Sequence, residues 1–167
     1  MIQKLKFLYF CSLGSFLASP LSLIFVLFID LDGGILDRIL SYMIAGIFWL
    51  GIIAGVLFLT LTIKQKNYAV KKIKKQGNRV RQFKNIGIIS FFRNNIASVA
   101  DIFLLLMIIL LIVLIIFKVN IEWMVILNIV FLYLSIILHS FFNGKNYRYI
   151  KYFEKITEMQ RKVKKDV

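Results

Sequence analysis

The sequence predicts an all-α integral membrane protein: a four-transmembrane-helix bundle with its N and C termini cytoplasmic and an interfacial amphipathic segment before span 3. Three observations carry that expectation. The chain is 60% hydrophobic with a mean hydropathy of +0.81, far outside the composition of soluble globular domains. Four apolar stretches are each long enough to cross a hydrocarbon core of about 30 Å at about 1.5 Å per helical residue. Nearly all the Lys and Arg fall into every second polar segment: Lys4 and Lys6, ten basic residues from Lys64 to Arg93, and eight from Lys145 to Lys165. Arg38 and Lys118 stand in the other two connections, beside Asp30, Asp32, Asp37 and Glu122. Short loops rich in Lys and Arg are retained on the cytoplasmic side, so the three basic segments read as inside.

Span 1 is expected at about 7–29. Lys4 and Lys6 followed by an apolar run and Ala18-Ser19-Pro20 imitate a secretion signal, but the run continues through Ile29 and is long enough to span. Leu8-Tyr9-Phe10 ahead of Cys11 lacks the small residues of a lipoprotein processing site, so the span is read as uncleaved. Pro20 removes one backbone hydrogen bond inside it and should kink it. Asp30-Leu31-Asp32-Gly33-Gly34 reads as a tight external turn, with Asp37 placed to cap span 2 at about 39–63.

The loop 64–98 has two halves. Lys64–Lys84 is polar, basic and helical in places. The second half sets Val80, Phe83, Ile86, Ile88, Ile89, Phe91, Phe92 and Ile96 among cations, with Gly87 against one straight helix. It is too polar to span and too apolar for water, which suits an amphipathic segment in the inner headgroup layer. Spans 3 and 4 follow at about 99–117 and 123–142; Trp123 and Tyr42 suit the outer interface, and Tyr147, Tyr149 and Tyr152 the inner one. Asn143-Gly144 is a natural helix stop. Beyond it Tyr149, Phe153, Ile156, Gln160 and Val163 recur at spacings of four and three, a helical stripe flanked by Lys and Arg. That stripe either lies on the membrane or pairs with Lys64–Lys84. The chain thus divides into a membrane domain, 1–142, and a basic cytoplasmic amphipathic tail, 143–167.

Two groups of residues stand out. Gly51 and Gly55 form a G-x-x-x-G, and span 1 offers Gly14 with Ala18 and Ser15 with Ser19. Small residues at this spacing let helix backbones approach closely, which matters where lipid removes the hydrophobic drive between helices; spans 1 and 2 are expected to meet there in preference to a homodimer seam. The second group is a candidate polar pair and functional face: Asp101, His139, Asn128, Ser135 and Asn143. In a hairpin turning near Asn120, Asp101 and His139 lie at one depth, and Asn128, Leu132, Ser135 and His139 share a face of span 4. Ionisable groups within a membrane are costly and are functional candidates by default. The competing reading is structural, with Ser98 and Asp101 as a capping-box variant and His139 at the interface, and it is preferred.

Catalytic, cofactor-binding and metal residues are not expected, and an enzyme is disfavoured. One His and one Cys (Cys11) supply no metal cluster, disulfide or redox pair. Ser15 and His139 are offset in depth by roughly 7 Å, too far for a serine–histidine pair. Every acid lies at a span end, where a proton-driven carrier would want one near the bilayer centre. The net charge of +14 is read as an orientation signal and as contact with anionic inner-leaflet lipids, at about 1 kcal/mol per Lys or Arg near the surface. Nucleic acid is set aside because no recognition fold has room between the spans. A thin core leaves a membrane-protein partner or a homo-oligomer as the other expected association.

Gly87-Ile88-Ile89-Ser90-Phe91-Phe92-Arg93-Asn94 with Ala100-Asp101, and His139 with Asn143-Gly144-Lys145-Asn146-Tyr147, resemble a group of small four-span membrane proteins of low-GC Gram-positive bacteria, over about residues 79–150. The Ile, Lys, Asn and Phe bias fits an AT-rich genome. The resemblance implies no activity; it marks His139, Asn143, Gly144 and Asn146, at the inner mouth of span 4, for mutation. The expected role is a non-enzymatic accessory or interaction protein of a bacterial plasma membrane, with immunity-type protection against a membrane-active peptide as a specific version. The alternative is a small transporter, or a subunit of a membrane transport complex, using Asn128, Ser135 and His139 as a polar path.

Overall fold

The computed structural model describes residues 1–28, 34–75, 80–83, 94–118 and 122–163. Among them the chain forms helices α1 (Ile2–Ser22), α2 (Ile35–Lys75), α3 (Asn95–Ile116), α4 (Glu122–Phe142) and α5 (Lys145–Val163), and no strand. The first four are long and apolar enough to cross a membrane. The turn at 30–33, residues 86–92 of the expected amphipathic segment with Gly87, the turn centre Asn120 and the last residues of the tail lie outside the described residues. Of that segment's other apolar residues, Val80 and Phe83 pack against the buried core and Ile96 belongs to α3, so these three do not form a separate interfacial helix.

Each helix ends for a local reason. Pro20 cannot donate to the preceding turn; α1 continues only to Ser22 and tightens into a 3-10 helix over Leu23–Phe28. α2 is 41 residues long, well beyond its apolar run, because no Gly or Pro interrupts the stretch after Ile63 and its Lys, Gln and Ala are good helix formers. The first part of the basic loop is therefore a continuous rod through Lys75. α3 starts earlier than expected. Asn94 is extended (φ −154°, ψ 127°) and its side chain accepts from the Ile96 N–H at 2.9 Å, so the cap is Asn94, and Asp101 lies well inside the helix instead of in a capping box with Ser98. At its other end Lys118 adopts φ 49°, the left-handed conformation common after a helix C-terminus. Between α4 and α5 a Cβ on Gly144 would sit 2.5 Å from the Ser140 carbonyl oxygen, so the corner requires glycine.

The packing order is α2–α1–α4–α3. α1 packs on α2 and on α4, α4 packs on α3, and among the described residues α2 and α3 do not touch. In the α1–α2 seam, a Cβ on Gly51 would stand 2.9 Å from the Ser15 carbonyl oxygen, and one on Gly55 2.9 Å from the Phe16 ring. The Ser12 hydroxyl donates to the Gly55 carbonyl at 2.8 Å. Gly14 and Ala18 depart from expectation: both are exposed, and nothing lies within 4 Å of a Cβ on Gly14. Ser12, Ser15, Phe16 and Ser19 share one helical face toward α2, and at about 100° per residue positions 14 and 18 point away from it.

The largest buried cluster is not midway along the apolar helices but at one end. Leu5, Tyr9 and Leu13 of α1, Ala69 and Ile73 of α2, Ile137 and Phe141 of α4, and Tyr149, Ile150 and Phe153 of α5 form one core. The stripe on α5 thus neither lies free on a surface nor pairs with α2 alone. It is clamped against three helices, and Tyr149, expected at a lipid interface, is only 6% exposed. The Tyr9 hydroxyl donates to the Phe141 carbonyl across this core, and Lys6 pairs with Glu154 at 2.9 Å. The start of α1 and the whole of α5 therefore occupy the same end of the molecule, which is also the basic end.

Candidate functional site

The polar group between α3 and α4 is assembled by close helix approach. Ala97 and Ala100 are buried on α3, and their small side chains bring it near α4. The Asn94 amide donates to the Phe142 carbonyl at 3.5 Å, tying the start of α3 to the end of α4 and fixing the register of the pair. In that register Asp101 Oδ1 meets His139 Nδ1. The Asp101 side chain is 5% exposed and that of His139 12%, and Asp101 Oδ2 is buried with no hydrogen-bond partner. A buried carboxyl group is costly to leave unpaired in this setting, and His139 is the partner that Asp101 finds across the interface.

Deeper along the same interface Asn128 is 2% exposed; its amide donates to the Met107 carbonyl at 3.0 Å, while Oδ1 has no partner. Ser135 is buried and donates back to Phe131 O at 2.9 Å, satisfying itself within its own helix. Asn143 is buried beyond His139, where its carbonyl accepts from Arg148 at 3.4 Å. The structure brings Asp101 and His139 into contact, puts Asn128 on the same interface at a different depth, turns the Ser135 hydroxyl back onto its own helix, and joins Asn143 to His139 through its backbone N–H, which donates to the His139 carbonyl at 3.0 Å. Asn128 and His139 are about 16 Å apart along α4 at 1.5 Å per residue, so the polar members form separate stations and not one continuous chain of hydrogen bonds. Beside them a groove of about 450 Å³ opens between α3 and α4, walled by Ile96, Val99, Phe103, Phe131, Leu134 and Leu138. Among the described residues no three His, Cys, Asp or Glu side chains gather as a metal site.

A second constellation, at the basic end, is the one sequence reasoning missed. Phe83 stands edge-on to Tyr149 (centroids 5.0 Å, 84°) and to Tyr152 (5.8 Å, 72°). Tyr9 packs on Phe141 at 5.1 Å and on Tyr147 at 6.2 Å. Cations cover the aromatic faces: Lys66 over Tyr149 at 5.5 Å, Arg81 over Phe83 at 5.7 Å, Arg148 over Phe83 at 5.9 Å and Lys151 over Tyr147 at 5.7 Å. A signal for it was present in the sequence: Leu5 with Tyr9 on α1 and Ala69 with Ile73 on α2 are spaced by four, the partner stripes that the tail needed.

No protein-family model matches the chain, and comparison with curated proteins and with solved structures finds no match either.

Proposed function

We propose that the chain is a non-enzymatic accessory or interaction protein of a bacterial plasma membrane, with α1–α4 crossing the bilayer as a four-helix bundle and both termini cytoplasmic. The observation that carries this reading is the clamped basic end. α5 is held by a buried aromatic core against α1, α2 and α4, so α5 and the extension of α2 present one rigid cationic surface instead of two loose segments. Large apolar side chains such as Leu36, Trp49, Leu50, Leu106 and Ile115 cover the outer faces of α2 and α3, an arrangement suited to lipid and unsuited to water. The Lys6–Glu154 pair supports placing both ends on one side, and the positive-inside rule makes that side the cytoplasm. There the surface meets anionic inner-leaflet lipid and a membrane-protein partner or second copy. Immunity-type protection against a membrane-active peptide is a specific version of this role.

A transporter, or transport-complex subunit, is the second reading, favoured by the buried orphan oxygens Asp101 Oδ2 and Asn128 Oδ1 between α3 and α4. Purified chain in proteoliposomes with an internal pH dye discriminates the two. An accessory role gives no proton flux beyond that of empty vesicles. A flux that vanishes in Asp101→Asn would replace the accessory reading with transport.

A further inference from the structure

At the basic end a cavity of about 390 Å³ lies between the extension of α2, residues 80–83 and the start of α5. Its lining combines apolar Val70, Val80, Phe83 and Tyr149 with Lys74, Lys145 and the Gln82 amide. Lys66 is close by, with Nζ 3.0 Å from Asn146 Oδ1 and above the Tyr149 ring. Nearby acid is already committed: Glu154 is engaged by Lys6 at 2.9 Å and Lys151 at 3.3 Å. Among the described residues no carboxylate lies within ion-pair distance of Lys66, Lys74 or Lys145. Lys66 lies beyond the apolar run of α2, and burial, together with the neighbouring Lys145 ammonium, pushes its pKa below the ordinary lysine value.

A cluster of ammonium groups held together by a fold, without counter-charge, is unfavourable in isolation and is relieved by a bound anion. The volume falls in the range of ligand pockets, and a lining that combines lysines with aromatic rings suits a phosphate attached to a less polar body. We propose that this cavity is a binding site for a phosphate-bearing ligand, with Lys74 and Lys145 contacting the phosphate oxygens, Gln82 donating to them, Phe83 and Tyr149 covering the attached group, and Lys66 adding positive charge from beside the cavity. The phosphate comes either from an anionic phospholipid headgroup or from a soluble phosphate compound. The assignment deepens the reading of the basic end as a binding surface by naming a site within it, and its test in detergent does not depend on which side of a membrane that end faces.

The test uses the full chain and three proteins: wild type, Lys74→Gln/Lys145→Gln, and Lys71→Gln/Lys72→Gln. The last removes two exposed charges outside the cavity. Thermal unfolding in an uncharged detergent is followed with inorganic phosphate against chloride at equal ionic strength. A parallel set is measured in nanodiscs of phosphatidylcholine with or without phosphatidylglycerol. Occupation of the site at about a hundredfold excess over Kd raises Tm by roughly 5 °C in wild type and in the Lys71/Lys72 control, and not in the Lys74/Lys145 variant. A rise with inorganic phosphate in detergent assigns a soluble ligand; a rise only in phosphatidylglycerol discs assigns the lipid headgroup. No rise in either medium, or equal loss in both variants, overturns the site, the latter showing diffuse charge attraction. If the double variant fails to fold, Lys145→Gln alone is read, with a reduced rise expected and an unchanged one contradicting the proposal. Misassigned topology leaves these detergent results untouched and shows only in labelling of intact cells.

Discussion

Asp101 of α3 and His139 of α4 meet across a helix interface, Oδ1 to Nδ1, with the second carboxylate oxygen of Asp101 buried and unpartnered. Polar contacts between helices in a membrane are worth about 0.6 kcal/mol on average and reach about 1.7 kcal/mol. Asp101→Asn and His139→Ala should each weaken the fold modestly, with a double-mutant cycle giving a coupling within that range. Cysteines at 101 and 139 in a Cys11→Ser background should join through a short crosslinker. Additive losses without crosslinking would separate the two residues.

The α1–α2 seam yields an ordering of glycine substitutions. At Gly51 an added methyl meets the Ser15 backbone oxygen, which cannot rotate away, so Gly51→Ala should destabilise by about 1–3 kcal/mol, the range of overpacked cores. At Gly55 the obstacle is the Phe16 ring, a side chain able to shift, so Gly55→Ala should cost less. Gly14 faces open space, and Gly14→Ala should be neutral or stabilising by up to about 1 kcal/mol through helix propensity. Unfolding in mixed detergent reads all three. Equal effects at 14 and 51 would refute the seam.

Docking of α5 depends on Phe153, which is fully buried. Phe153→Ala removes the ring at a cost of about 3–5 kcal/mol, the usual figure for a core phenylalanine. The expected readout is rapid proteolysis within Lys145–Met159 while α1–α4 stay protected. Unchanged protection of α5 would mean that the aromatic core does not hold it.

The same docking should weaken in acid. Glu154 is held below its ordinary carboxylate pKa, first by the hydrogen bond from Lys6 and then by Lys151, with burial opposing. A carboxyl depressed in the folded state adds stability that is complete above its unfolded value of about 4.3 and disappears as pH falls through the folded value. Lys151, raised chiefly by its hydrogen bond to Glu154, adds a contribution present below the ordinary lysine value and lost as pH rises through the raised one. Both lysines are half exposed, so the effect is small, within the ~0.2–1 kcal/mol of surface pairs. Hydrogen exchange of α5 against pH should show it, and Lys6→Gln should flatten the acid limb.

Much of this architecture was legible in the sequence because hydropathy and helix propensity act locally. The four apolar helices follow from the apolar runs, and the shared depth of Asp101 and His139 from the symmetry of a short hairpin. What escaped depended on rotation and on distant partners. Spacing by four showed that Gly14 with Ala18 and Ser15 with Ser19 were both candidate faces, but only the packing of α1 between α2 and α4 selects Ser15 and Ser19. The stripe on α5 was visible, yet its place among Leu5, Tyr9, Ala69 and Phe141 required four segments far apart in the chain. The apolar run marks the span at 39–63 and the residues after it read as helical in places; that α2 continues unbroken through Lys75 reflects the absence of any helix breaker between 64 and 75.

The central claim, a membrane protein presenting a clamped basic end to the cytoplasm, is tested most directly by labelling single cysteines in intact cells with a membrane-impermeant maleimide, in a Cys11→Ser background. Positions Leu36, Lys75 and Met159 are exposed and lie on α2 before the apolar run, on its basic extension and on α5. The account predicts that Leu36→Cys labels in intact cells while Lys75→Cys and Met159→Cys label only after lysis. Labelling of Met159→Cys in intact cells would contradict it.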